Sequence, residues 1–145
     1  MNSFRAKKTA EAERKGYEIL TYIHPSAVVN ANKMGKGNIV MENVTIGPFV
    51  EIGDGNVFWA NAHVAHHTCV GNYNFFTISV AVAGNIRIGD FCFFGNNCTI
   101  KNYLDIADRT LVGAGCYISK STEPCGVYVP QRSIKLENKV STDFI

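Results

Sequence analysis

Three of the chain's four histidines crowd into one short stretch, at His63, His66 and His67, and no histidine follows residue 67. Imidazole titrates near neutrality, so one held at an exposed corner can take a proton from an incoming nucleophile. Gly84 lies eighteen residues after His66, and its bare backbone amide is a candidate oxyanion donor for acyl transfer. Alternatives stand beside this reading. An exposed histidine pair is also tolerated surface, a corner glycine is ordinary, and three nearby imidazoles have the chemistry of a zinc site. Against metal, adjacent corner side chains are expected to point apart, and no carboxylate or further histidine joins eighteen residues away.

The number eighteen comes from the elements that must position these groups. From Met34 to Ile118 every sixth residue is apolar, fifteen times without a break, and the next residue is mostly Gly or Ala. This period fits neither an amphipathic helix nor an alternating strand. Three such units make a three-sided turn, each unit a short strand and a corner where Gly or Ala suits a sharp bend. Turns stack as parallel strands ~4.8 Å apart, so residues i and i+18 are vertical neighbours. The fold class expected is therefore mainly all-β, a parallel β-helix with a short N-terminal helix.

Side-chain alternation sorts the remaining positions. Asn38, Asn56 and Asn74 form an inward amide column that Cys92 and Thr110 continue, affordable because its members satisfy one another. Outward, one face carries Ile39, Val57, Phe75, Phe93 and Leu111, apolar at every level. A continuous apolar stripe marks a contact surface, here between subunits, with a ligand groove as the sharper reading. A second face carries Thr45, His63, Ala81, Thr99 and Tyr117; the third, Glu51, Cys69, Arg87 and Asp105, is solvated.

Residues 4–15 read as a helix stopped by Gly16, residues 17–23 as a lead-in strand, and residues 126–129 as a last strand before an irregular tail. The segments expected are 1–21 for helix and lead-in, 22–123 for the β-helix, and 124–145 for strand and tail. The 145 residues are 46% hydrophobic and 18% charged with net charge +2, which indicates neither disorder nor a polyanionic partner. No run spans a membrane and no secretion signal is evident, so a cytoplasmic protein without nucleic-acid or membrane partners is expected. Five cysteines without a CxxC pair favour packing in a reducing setting; a Cys98–Cys116 disulfide is the lesser alternative.

The hexapeptide series resembles that of the left-handed β-helix acyltransferases. Asn56 to Gly71 (NVFWANAHVAHHTCVG), Val82 to Gly89 (VAGNIRIG) and Leu111 to Gly115 (LVGAG) are similar to one subgroup. It contains the sialic acid O-acetyltransferases and the N-acetyltransferases of nucleotide-linked amino sugars. The resemblance covers about residues 4–129. It implies acetyl-CoA as acyl donor, no metal, and a homotrimer with each active site between two prisms. It further implies His66 as general base, His67 where one member has a glutamate that raises the base's basicity, and Gly84 as the amide meeting the acetyl carbonyl. Phe75 stands where that member has a cofactor-contacting histidine, and Asn96 and Ala114 match positions lining the acetyl-CoA groove. Family members usually carry a Rossmann-like domain before the helix at which this sequence begins, and the segment 127–131 lacks their Gly-x-Pro. The acceptor, and whether oxygen or nitrogen is acetylated, stay open. The other classes of function are a non-catalytic assembly protein and, less favoured, a metal enzyme like a γ-type carbonic anhydrase, which needs ligand histidines on neighbouring coils.

Overall fold

A computed structural model describes residues 1–131, 133, 135, 137, 140 and 142. Most of the expected tail, 130–145, lies outside the described residues. The chain is mostly β: a parallel solenoid of about six turns, preceded by helix α1 (Asn2–Arg14). Among the described residues there are eighteen two-residue strands, from β1 (Tyr22–Ile23) to β18 (Val127–Tyr128). They form three sheets. The first face stacks Tyr22–Ile23, Ile39–Val40, Val57–Phe58, Phe75–Phe76, Phe93–Phe94, Leu111–Val112 and Val127–Tyr128; the second Val28–Val29, Thr45–Ile46, His63–Val64, Ala81–Val82, Thr99–Ile100 and Tyr117–Ile118; the third Lys33–Met34, Glu51–Ile52, Cys69–Val70, Arg87–Ile88 and Asp105–Ile106.

Every strand pairs in parallel with the one a full turn away. Phe75 is in register with Val57 and Phe93, His63 with Thr45 and Ala81, and Arg87 with Cys69 and Asp105. The spacing of eighteen holds from Lys33 onward. Below it the register tightens to seventeen (Ile23 with Val40, Val29 with Ile46), which is why the six-residue series begins only at Met34. At the other end Val127 pairs with Leu111, sixteen residues back.

The apolar beats fill the prism. Phe58, Phe76 and Phe94 have no exposed surface and stack at 4.7 and 4.6 Å between ring centroids. Beside them runs the amide column. Asn38 Oδ1 accepts the Asn56 N–H at 2.8 Å, Asn56 Oδ1 that of Asn74 at 2.9 Å, and Asn74 Oδ1 that of Cys92 at 2.7 Å. Each amide NH₂ donates to a glycine carbonyl: Asn38 to Gly53, Asn56 to Gly71 and Asn74 to Gly89, all at 2.9 Å. Cys92, Cys98 and Cys116 are buried free thiols, so no Cys98–Cys116 bond forms. Burial pushes Cys98 up to about 12 and Cys92 up to about 11.

Three expectations are corrected. First, the glycine after each apolar beat does not make the bend. The left-handed residue lies two positions further on and is usually not glycine; among the described residues eleven such non-glycine positions, Phe49, His67, Asn85 and Tyr103 among them, have φ between 53° and 60°. The glycines are there for clearance: a Cβ on Gly53 would lie 2.7 Å from the Gly71 carbonyl oxygen, and one on Gly71 2.6 Å from that of Gly89. Secondly, the apolar first face is not bare at every level. Val57 is 3% exposed, against 39% for Ile39 and 40% for Leu111. Helix α1 lies along the adjoining edge, where Asn2 donates to the Cys92 carbonyl at 2.8 Å. There Arg5 donates to the Gly55, Tyr73 and Asn74 carbonyls and sits over the Phe75 ring. Thirdly, the lead-in strand is confined to Tyr22–Ile23, and the helix begins and ends one or two residues earlier than expected. Gly16, at φ +85°, follows its last turn.

Replacing Asn56 by Ala removes the acceptor for the Asn74 N–H and strands the Gly71 carbonyl inside the coil. We expect a loss of about 2–5 kcal/mol in urea unfolding, since each buried polar group left unpaired costs about 1–3 kcal/mol. A midpoint within error of the wild type would show that the column carries no load.

Candidate active site

Each histidine takes its place from the coil. His63 is the outward residue of β8 (His63–Val64) and is exposed. His66 and His67 follow on the edge between the second and third faces, one coil below Gly84 and Asn85. His67 has φ +55°, and this left-handed step turns its ring back toward its neighbour. The Nδ1 atoms of His66 and His67 are 3.0 Å apart, with the rings edge to face. The side chains thus converge, which corrects the expectation that adjacent corner residues point apart. His67 is braced from below by Phe49, one coil earlier in the same column, stacked at 4.7 Å between centroids. No motif flagged Phe49; the eighteen-residue offset from His67 was the signal available.

Gly84 does lie over His66. A Cβ on Gly84 would fall 2.7 Å from His66 Cε1 and 3.0 Å from Nε2, so the imidazole occupies the space that a side chain would take. The Asn85 N–H donates to the His66 carbonyl at 3.0 Å, which locks the two corners in register. No described residue accepts the Gly84 N–H. The amides of His66 and Asn102, one coil below and above, are unpaired likewise, so the free N–H belongs to the edge. Only at Gly84 does it combine with a missing side chain and an imidazole alongside.

The groups expected at the acyl donor fall elsewhere. Phe75 and Asn96 line one apolar cavity of about 170 Å³ together with Trp59, Thr77 and Ile78. Trp59 stacks on Phe75 at 6.3 Å and Phe75 on Phe93 at 5.8 Å. Ala114 is exposed one coil above Asn96, whose carbonyl accepts the Gly115 N–H at 2.8 Å. These residues occupy the first face and its edge with the second, whereas His66, His67 and Gly84 occupy the next edge round. One chain therefore does not bring the two groups together. Among the described residues no three metal-ligating side chains gather.

Residues 33–66 match the family model described as bacterial transferase hexapeptide (six repeats). No curated protein matches the chain by sequence. Among solved structures, it is similar to PerB from Caulobacter crescentus in complex with CoA and GDP-perosamine. The TM-score there is 0.87 at 28% identity, covering 89% of this chain and 63% of that one. The acetyltransferase domain of PglB from Neisseria gonorrhoeae FA1090 gives a TM-score of 0.86 at 23% identity, covering 89% and 63%. The same domain in complex with acetyl coenzyme A gives 0.75 at 25%, covering 81% and 60%. The chain thus spans somewhat less than two thirds of the length of these structures. Fold and repeat define a hexapeptide-repeat β-solenoid. Residues 33–66 carry the hexapeptide repeat of that family model, and the chain shares the β-solenoid fold of these acetyltransferase structures.

Two substitutions separate site from fold. In Gly84→Ala the new methyl displaces the His66 ring, a mobile side chain, so the unfolding midpoint stays near wild type while the His66 imidazole signals move in long-range ¹H–¹⁵N spectra. Phe49→Ala releases His67, and its imidazole signals should broaden or shift, with recovery in Phe49→Tyr. Unchanged spectra in both would show that neither residue positions the pair.

Proposed function

We propose that the chain works as an acetyl-CoA-dependent acetyltransferase whose acceptor is a hydroxyl or amine of a sugar or nucleotide-linked amino sugar. The observation that carries this is the contact of the His66 imidazole with the side-chain-free, unpaired amide corner at Gly84. Support also comes from solved neighbours that hold acetyl coenzyme A, or CoA with GDP-perosamine.

His66 Nε2 accepts the proton from the attacking O–H or N–H as the nucleophile's electron pair adds to the thioester carbonyl. The oxyanion is met by the Gly84 N–H. Collapse of the tetrahedral intermediate breaks the C–S bond, and the proton returns from His66 to the departing thiolate of coenzyme A. For Nε2 to carry the lone pair, the His66 Nδ1–H must donate to His67 Nδ1, which then acts as acceptor. That arrangement survives protonation of His66, since both its nitrogens then donate. His67 thus selects the tautomer, though it brings no fixed negative charge.

Because the histidine edge and the Phe75–Asn96 cavity lie on different edges, the complete site is assigned to two copies of the chain. The homotrimer, built through the partly covered first face with Ile39, Phe75, Phe93 and Leu111, supplies the donor groove from one prism and the base from the next. Ala114 extends that groove beyond Asn96.

His66→Ala, assayed with acetyl-CoA and a panel of free and nucleotide-linked sugars, is expected to lose ~10²–10⁴-fold in kcat/KM. Its melting-temperature rise with acetyl-CoA should be retained. Near-normal turnover removes His66 from the mechanism, and no thermal shift in the wild type favours the assembly protein instead.

A further inference from the structure

The histidine edge borders two faces, the second and the third. On the third face a second cavity, of about 360 Å³, begins at His67 itself. That volume falls within the range of small-molecule sites. Its floor is apolar, from Ile86 and Leu104, and its walls are polar: Asn85, Tyr103, Arg87 and Asp105. Asn85 is held by its backbone bond to the His66 carbonyl, and with Tyr103 it continues the left-handed corner column of Phe49 and His67. Tyr103 is 73% exposed.

Arg87 and Asp105 are register partners on β12 (Arg87–Ile88) and β15 (Asp105–Ile106). Opposite charges placed so usually pair across strands. Here neither side chain forms an ion pair or hydrogen bond among the described residues. A guanidinium with its planar fork of donors free, beside a free carboxylate and a cavity that ends at the tautomer-setting histidine, is equipped for a ligand carrying both an anion and hydroxyls.

We propose that this groove seats the acceptor sugar, with Arg87 holding an anionic substituent, a phosphate or a carboxylate, while Asp105 and Asn85 take its hydroxyls. The inference rests on the acetyl-transfer reading of the His66 edge and adds a charge requirement to the acceptor. The donor comes from the groove of the second copy and the nucleophile arrives from the third face, so the two reactants meet at His66.

The test is calorimetric titration of the full chain, in parallel, with a nucleoside diphosphate hexose, a carboxylate sugar of the sialic acid type, a neutral hexose and acetyl-CoA. At least one anionic sugar is expected to bind ~10-fold or more tightly than the neutral hexose. Arg87→Ala should erase that difference and Arg87→Lys keep part of it, both with wild-type acetyl-CoA affinity, since a hydrogen bond to a charged group is typically worth ~10–100-fold. Which anionic arm binds tells phosphate from carboxylate. Equal binding of charged and neutral sugars, no binding of either anionic sugar, or wild-type binding by Arg87→Ala overturns the proposal. Failure of acetyl-CoA to bind the wild type overturns the transferase reading instead, and the two failures are read in separate titrations.

Discussion

Backbone hydrogen bonding from each coil to the next sets every distance in this molecule. The Trp59 N–H reaches the Phe76 carbonyl at 2.8 Å, the His63 N–H that of Val80 at 2.8 Å, and the Arg87 N–H that of Leu104 at 3.0 Å. With strands only two residues long, no sheet holds by itself; each coil is ordered by the coils above and below it. The interior Asn column and the Phe58–Phe76–Phe94 stack repeat at the same spacing, so polar and apolar side chains enforce one register. A slip would strand buried amides and turn the apolar beats outward.

That rigidity is what allows two imidazoles to be held against each other on a corner. Left-handed conformations at non-glycine residues cost roughly 1 kcal/mol each and persist only where the surroundings over-determine them. At His67 this conformation brings Nδ1 within 3.0 Å of its partner on His66, and the Phe49 ring below restrains it. The same corner one coil higher dispenses with a side chain, so the imidazole and an unpaired amide share one small space. The histidine edge therefore takes its geometry from a coil whose backbone repeats with little variation.

Helix α1 plays a different part. Its residues are largely polar and exposed, and it holds to the prism through Asn2 and Arg5, whose side chains reach carbonyls on successive coils. Those carbonyls line the edge between the third and first faces, which leaves the histidine edge free, and Arg5 covers part of the apolar face at Phe75.

Much of this was legible in the linear order of residues. The six-residue beat announced the coil, the eighteen-residue offset placed Gly84 over His66, and the Asn38–Asn56–Asn74 spacing announced the interior column. These are properties of a periodic chain, in which position in sequence maps directly onto position in space. What the sequence could not supply is whatever depends on side-chain direction and on contacts outside the period: that His67 turns back onto His66, that the glycines clear the neighbouring coil while other residues bend, that Arg5 reaches Phe75, and that Arg87 and Asp105 stand in register unpaired. A repeat determines which residues are neighbours, but only the folded backbone, with its left-handed corners and its docked helix, decides which way those neighbours face.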